Sequence, residues 1–566
     1  MVRTLVSHLT NKIIQMKANK ILFPISQFRL KAIVLISSLL LLLSSCTKNF
    51  EKYNTDNSSI SDTALDIDHN NLGLFFPGIQ QNIFGAEQSI GDYQLGQNLN
   101  ADCYSGYMMS PDPFRSNINN LNYFLVDGWN SQIYTNTFAD VVSPIQLLVL
   151  KGLKAVPDFY AVALILQVDV IDRCTDRYGP IPYSKLTSSS TGAIYDSQAD
   201  VYNLMFLQLD TAVTNLQTYI AANPSLTPFK KFDLIFNGDY KLWVKFANSL
   251  RLRLAMRLAK INPTLAQAQG EKALNVSSNG GLLLSPTETA TMSGYGYQNP
   301  LYLITSAWTD ISMSASMESI MVGYKDPRLA KYFDPSTFAS SGYKGIRIGI
   351  DLPSSKGPYL NFSTLNYRAG GNPTFNNNTP MVVMTSAEVW FLKAEAALRG
   401  WAGAGDAQTN YETGISTSMQ QWGVSPGNYI QDATSKPIDY VDPVNSANNA
   451  PAVSTATIAW DNSATNEQKL EKIITQKWIA GFPEGCEAWT EYRRTGYPRL
   501  FPVVINNSGG TISSALQIRR LAYPQSEYNS NKTNVTQAVS LLGGFDNGGT
   551  PVWWDTNKGQ ANPVNF

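Results

Sequence analysis

Charge is scarce in this chain. Only 15% of its 566 residues are Asp, Glu, Lys or Arg, against roughly 25% in an average soluble protein. A nucleic-acid-binding face needs clustered basic residues, and none occurs beyond residue 46. Histidine is scarcer still, with two in the chain, and His69 alone follows residue 46. A Ser-His-Asp triad or a His-ligated zinc site would need His69 in a cleft with partners; its place near the N-terminus reads as a solvent-facing loop. There is no Gly-x-Ser-x-Gly elbow and no Gly-x-x-x-x-Gly-Lys phosphate loop. Cysteines number four, none in Cys-x-x-Cys spacing. After Cys46, the remaining Cys103, Cys174 and Cys486 allow at most one disulfide and a spare thiol, or three small buried residues. Beyond residue 43 no apolar run approaches the ~20 residues that span a bilayer as a helix.

Asn, Ser, Thr, Gly and rings fill the gap: 28 Tyr, 24 Phe and 11 Trp. Such a surface suits an extracellular protein that meets neutral ligands. At 43% hydrophobic, the chain has ample material for a large core.

The formal net charge of zero is a property of the N-terminus. Arg3, Lys12, Lys17, Lys20, Arg29 and Lys31 precede Cys46 with no Asp or Glu among them, so the rest carries 37 basic against 43 acidic residues. Residues 32–43 form a short apolar run behind this basic stretch, too short for a stable spanning helix and of signal-peptide length. The run closes on Leu43-Ser44-Ser45-Cys46, which resembles a bacterial lipobox. The expected organisation is therefore a lipoprotein-type signal peptide at 1–45, acylation at Cys46, a polar tether at 46–62, and one body at 63–566. Met16 is an alternative start, since Met16 to Cys46 already makes a complete signal. The competing reading is ordinary cleavage beside an incidental cysteine. Several acyl chains attach a protein firmly without a transmembrane helix.

Helical signals dominate the body. Residues 158–178 follow Pro157 and stop at Gly179-Pro180, punctuation that brackets a helix. Within it Asp169, Asp172 and Asp176 share a face, with Arg173 and Arg177 nearby. Residues 241–260 align Leu242, Phe246, Leu250, Leu254 and Leu258 at steps of four. Thr385-Ser386-Ala387-Glu388 and Thr465-Asn466-Glu467-Gln468 read as capping boxes opening helices to Arg399 and Ala480. Ala394, Ala397 and Leu398 before Gly400-Trp401, then Ala407, Tyr411 and Gly414, have the small-residue spacing of a tetratricopeptide-like helix pair. No clean 34-residue period runs through the chain. Between 280 and 384 Gly, Pro, Asn, Ser and Tyr replace periodic runs, and long irregular stretches of this kind are often functional. A similar tail runs from Asn506 to Phe566.

Several segments together resemble the SusD/RagB family of nutrient-binding outer-membrane lipoproteins, in its SusD-like branch. They are the lipobox at Cys46, Phe50-Glu51-Lys52-Tyr53-Asn54-Thr55-Asp56, Asp176 to Tyr183 (DRYGPIPY), Arg251 to Ala255 (RLRLA), and Asp326-Pro327-Arg328-Leu329. Glu388 to Ala396 (EVWFLKAEA), Glu487 to Gly496 (EAWTEYRRTG) and Arg520-Leu521-Ala522-Tyr523-Pro524 complete the set. Each is weak alone; their order over nearly the whole mature chain is specific. Asn54-Thr55-Asp56 departs from the usual pattern in lacking a following Pro. The resemblance implies a mainly α fold, with tetratricopeptide-like helix pairs packed against a large irregular, loop-rich ligand-binding side. It also implies a partner, a SusC-like TonB-dependent outer-membrane transporter on which the lipoprotein sits as a lid. It leaves glycan and peptide cargo equally open.

Two aromatic clusters fall in irregular segments, near 95–130 and within 280–384. The first is Tyr104, Tyr107, Met108, Phe114 and Arg115, after Asn100 and Asp102. The second is Tyr295, Tyr297, Asn299, Tyr302, Trp308 and Asp310. Pyranose C–H faces stack on such rings while hydroxyls pair with amides, carboxylates and guanidinium groups, and rings suit peptides too. The resemblance places ligand sites in the same two parts of the chain, by position only. For each ring the alternative is core packing, favoured for Trp129, Trp390 and Trp489; Trp553-Trp554 are open. Carboxylates permit a different chemistry, since glycoside hydrolysis needs two of them. Glu484, Glu487 and Glu491 lie at helical spacing after Pro483, where dipole compensation and pairing with Arg493 and Arg494 explain them without catalysis.

The expectation is a non-enzymatic, surface-exposed lipoprotein that binds an oligosaccharide or peptide and delivers it to the transporter. It is held at the outer membrane by its lipid anchor and has no nucleic-acid partner. No cofactor is expected; a structural calcium ion is possible and not predictable from sequence. The alternatives are a carboxylate-based glycosidase, with Glu487 as its test residue, and a lid of the transporter that binds nothing.

Overall fold

The computed structural model describes residues 69–556 and 566, apart from 86–88, 187–191, 295, 339–341 and 369–372. The signal peptide, Cys46 and the tether lie outside the described residues.

The architecture is mainly helical, with 53% helix and 4% strand. The long helices are α1 (Pro157–Tyr178), α2 (Gln198–Ala222), α3 (Tyr240–Arg257) and α4 (Pro263–Leu274). After the short α5 (Pro300–Ser306) come α6 (Ser386–Leu398), α7 (Ala407–Gln421), α8 (Asn466–Gly481) and α9 (Gly485–Thr495). They pack as sequential pairs, α1 on α2, α3 on α4, and α6 on α7 with α8 against both, the tetratricopeptide-like side that the resemblance implies. α1 starts on Pro157 and ends at Gly179 with φ +86°, as its punctuation predicts. Close approach in the α6/α7 pair depends on Gly414. A Cβ there would come within 2.8 Å of the Phe391 ring, below any ordinary contact distance.

One capping box forms and one half-forms. Thr465 and Gln468 satisfy each other's backbone N–H at the start of α8. At α6 the Thr385 hydroxyl accepts from the Glu388 N–H at 3.1 Å, but the Glu388 carboxylate binds Arg253 through two contacts of 2.8 Å. A buried charge-assisted pair outcompetes a second cap bond to a neutral N–H.

Among the described residues, three two-stranded ladders lie outside the helices. β1 (Met108–Met109) pairs with β5 (Ser312–Met313), β2 (Ile181–Pro182) with β3 (Tyr195–Asp196), and β4 (Ala290–Met292) with β6 (Met381–Met384), all antiparallel. The β4–β6 ladder closes the 280–384 segment at its base. One large core runs through the helix pairs. A small satellite core of Leu99, Cys103, Met109, Leu121, Ile346, Ile350, Leu352, Tyr359 and Phe362 lies under the irregular side.

Candidate functional site

The β1–β5 ladder joins segments about two hundred residues apart: Met108 faces Met313 and Met109 faces Ser312. The seam widens through main-chain bonds from Ser314 N–H to the Tyr107 carbonyl at 3.3 Å and from Ile346 N–H to the Met313 carbonyl at 2.8 Å. The two expected ligand-binding segments thus become one surface, floored by the satellite core.

Trp308 stands on that surface, just after α5, 37% exposed. Thr309 behind it has φ +56°, a conformation that a β-branched residue adopts only under constraint. Its hydroxyl donates to the Trp308 carbonyl at 2.6 Å. The same carbonyl accepts from Lys356 Nζ at 2.8 Å. That ammonium also pairs with Asp112 at 3.1 Å and with Asp310. Gln94 Nε2 donates to the other Asp310 oxygen at 2.8 Å. Burial alone would lower the Lys356 pKa, but its bonds to Asp310 and Asp112 outweigh that and hold it above the usual lysine value. The result is an indole ring held in place at its backbone and flanked by a lysine–carboxylate fork. Two residues after Asp112, Phe114 meets Trp129 edge-on at 5.8 Å, both half-buried and packed on the satellite core.

The other predicted residues divide by burial. Tyr104 and Tyr107 are core residues, a correction to their expected stacking role. Both are fully enclosed; Tyr107 packs between Trp478 and Phe482 and donates to the Trp478 carbonyl. Tyr104 packs on Trp489 at 5.3 Å and donates to the Asn120 carbonyl at 3.2 Å. Met108 is buried on β1. Asn100 is buried and donates to the Leu95 carbonyl at 2.6 Å. Asp102 is buried, and its carboxyl is pushed up to about 7 by burial, against hydrogen bonds from Gln97 and Asn98. Arg115 is exposed and opens three consecutive left-handed residues, Arg115, Ser116 and Asn117 at φ +53°, +54° and +62°. Asn299 is buried and caps α5 by accepting from Tyr302 N–H at 3.0 Å. Its amide donates to the Thr379 carbonyl at 2.9 Å, which Tyr297 also reaches. Tyr302 is half-buried, with its ring 6.5 Å from that of Tyr367. Tyr295 lies outside the described residues.

Sequence reasoning missed Lys356, Asp112 and Gln94. No local pattern marks them; they matter because β1–β5 brings their segments together.

The acidic residues weighed for hydrolysis belong to a buried ion cluster that stitches five helices. Arg257 on α3 binds Asp176 of α1 at 3.0 Å, and Glu491 and Glu487 of α9 at 2.6 and 2.5 Å. Lys477 of α8 binds Glu487 at 2.8 Å and Glu491 at 3.2 Å. Arg494 bridges Glu491 at 2.7 Å to Glu395 of α6 at 2.6 Å. Glu484 caps α9 from Cys486 and Glu487 N–H and binds Arg173 at 2.9 Å. Arg493 departs from the expected pairing: it donates to the Asp176 and Arg519 carbonyls at 2.5 and 2.9 Å. Burial alone would raise the Glu487 carboxyl, but Arg257, Lys477 and Arg253 together pull it down to about 2, and Glu491 is likewise held low. Their cationic partners hold both toward the charged form, as members of an ion cluster. The cavity beside them, about 20 Å³, has room for about one water. Asp172 is held well above the usual carboxylate range by burial and then by Asp176, but its side chain is sealed in the core. Cys103, Cys174 and Cys486 are buried free thiols, and His69 is exposed at the first described helix. Among the described residues, no group of three or more His, Cys, Asp or Glu is placed to hold a metal ion.

Comparison with known proteins gives concordant results. The family model described as SusD-like, "Susd and RagB outer membrane lipoprotein", matches residues 52–555. A chitin-binding SusD homologue from Flavobacterium johnsoniae is 45% identical with a TM-score of 0.83, and the match covers 88% of this chain and 100% of that one. A SusD homologue from Bacteroides vulgatus is 37% identical with a TM-score of 0.82, covering 87% and 99%. One from Bacteroides thetaiotaomicron is 34% identical with a TM-score of 0.77, covering 86% and 99%. A search of curated protein sequences gave no match.

Proposed function

This chain belongs to the SusD-like family of SusD and RagB outer-membrane lipoproteins, and on that footing we propose that it captures a neutral oligosaccharide at the Trp308 surface and passes it to a TonB-dependent transporter. The observation that carries the reading is the presentation of Trp308. A large apolar ring left 37% exposed behind a constrained Thr309, with its own carbonyl and two acids tied by Lys356, is a rigid stacking platform beside hydrogen-bonding groups. Pyranose rings require that combination.

The proposed substrate class is a β-linked N-acetylhexosamine chain. Support comes from the chitin-binding relative, 45% identical over its whole length, and from the chain's low charge, which suits a neutral polymer. Acylation at Cys46 tethers the protein to the outer membrane with its ligand side at the cell surface. The transporter beneath is the proposed recipient, and the protein performs no chemistry on the cargo.

Isothermal titration against chitin-derived, other neutral and peptide oligomers tests this. Saturable binding of the N-acetylglucosamine oligomers, with no product by chromatography, is expected. Binding of peptides alone, or release of shorter sugars, would overturn it.

A further inference from the structure

A second concave surface, sharing no residue with the Trp308 site, lies where the loop 455–462 meets the first turns of α8. Its volume is about 510 Å³, inside the roughly 300–1,000 Å³ of small-molecule sites. Trp460 forms part of its wall, with Thr455, Thr457, Asp461, Gln468 and Lys472 around it.

The ring is held from several sides. Tyr411 of α7 packs against it with centroids 5.2 Å apart, and the Tyr411 hydroxyl is fixed to the Ile458 carbonyl at 2.7 Å. Trp460 Nε1 donates to Asn462 Oδ1 at 3.1 Å. Lys472 Nζ grips the loop at the Thr457 carbonyl and hydroxyl, 2.6 and 2.9 Å away. Lys469 Nζ holds the Asn462 carbonyl at 3.0 Å, and Ala459 N–H reaches the Asp432 carbonyl at 2.9 Å. A loop tied this often loses little entropy when a ligand arrives.

The lining chemistry selects the ligand class. Asp461 and Glu471 oppose Lys472, so the groove carries no strong field of either sign and gives an anion or a nucleic acid no advantage. Around the indole it offers hydroxyls, an amide and both kinds of charged hydrogen-bonding group. We propose that this groove is a second glycan-binding site, which takes one or two neutral sugar units by stacking on Trp460. It would hold a second stretch of the polymer whose capture is proposed at Trp308, but it stands or falls on its own residues.

The test uses the full mature chain carrying 5-fluorotryptophan, titrated with the N-acetylglucosamine hexamer and, in parallel, the glucose hexamers of cellulose and starch. Trp460 and Trp308 resonances are assigned from Trp460→Phe and Trp308→Phe. The expected result is a saturable shift of the Trp460 signal with at least one of these sugars, still present in Trp308→Ala. Trp460→Ala should weaken that second binding event about tenfold or more. Ala433→Arg fills the groove from an exposed position without altering the ring, and should abolish the Trp460 shift while leaving the Trp308 shift intact. A Trp460 signal that stays unmoved at saturating sugar, or one that moves equally in Ala433→Arg, overturns the proposal. Loss of the Trp308 response alone would refute the primary-site reading and leave this one standing.

Discussion

Replacing Trp308 with alanine should weaken oligosaccharide binding by up to about thirtyfold. A Trp side chain offers up to about 250 Å²; with 37% of it exposed, about 90 Å² remains for a ligand to cover. At roughly 25 cal/mol per Å² that is about 2 kcal/mol, or about thirtyfold in Kd. Covering only one face would give less, so the figure is a ceiling for the area effect. Trp308→Phe retains a ring and should recover about half of the loss on the same area argument. The assay is titration calorimetry with N-acetylglucosamine oligomers, with circular dichroism and thermal unfolding as controls. With 37% of the residue exposed, the rest is covered by protein, so a moderate fall in the unfolding temperature is expected and the affinity is read on the folded protein. Wild-type affinity in a folded Trp308→Ala protein would refute the stacking argument.

Three other outcomes follow from the same geometry. Tyr107→Ala empties a site between Trp478 and Phe482 and should cost about 3–5 kcal/mol of stability, read as a lower urea midpoint, while the protein that remains folded binds sugar normally. Lys356→Met unties Trp308 from Asp310 and Asp112, and should weaken binding about threefold to tenfold with a smaller effect on stability. Glu487→Gln leaves Lys477 and Arg257 short of a partner and should destabilise by about 3–5 kcal/mol with sugar affinity unchanged. The sign with pH is fixed by the direction of the shift. A carboxyl lowered from 4.5 to about 2 contributes stability that is complete above pH 4.5 and is lost as pH falls toward 2. Glu487→Gln should therefore flatten the acid limb of the urea-midpoint profile, and an unchanged limb would contradict the ion-cluster assignment.

Much of the helical side was legible because its signals are local. Pro157 and Gly179 bracket α1, Thr465 and Gln468 open α8, and the small residue at Gly414 marks a close helix contact. Each acts within a few residues of itself. The half-formed cap at Thr385 shows the limit: the Glu388 side chain obeys Arg253, which lies 135 positions away. The site was legible only as two stretches of rings. Tyr104 and Trp308 look alike in sequence, each an aromatic in a polar, turn-rich stretch. What separates them is whether Trp489 covers the face, and that depends on how α9 packs. Lys356 carried no signal at all, because its partners, Asp112 and the Trp308–Asp310 turn, come from two distant segments.

The β1–β5 seam is made of main-chain bonds, which are indifferent to the side chains projecting from it. Residues lining the surface above can therefore change with little penalty to the closure that unites the two stretches. The stitched helices behind tolerate far less, since each charge there answers to several others. A body built this way can be retargeted to new cargo by redrawing a few loop positions on an otherwise fixed frame.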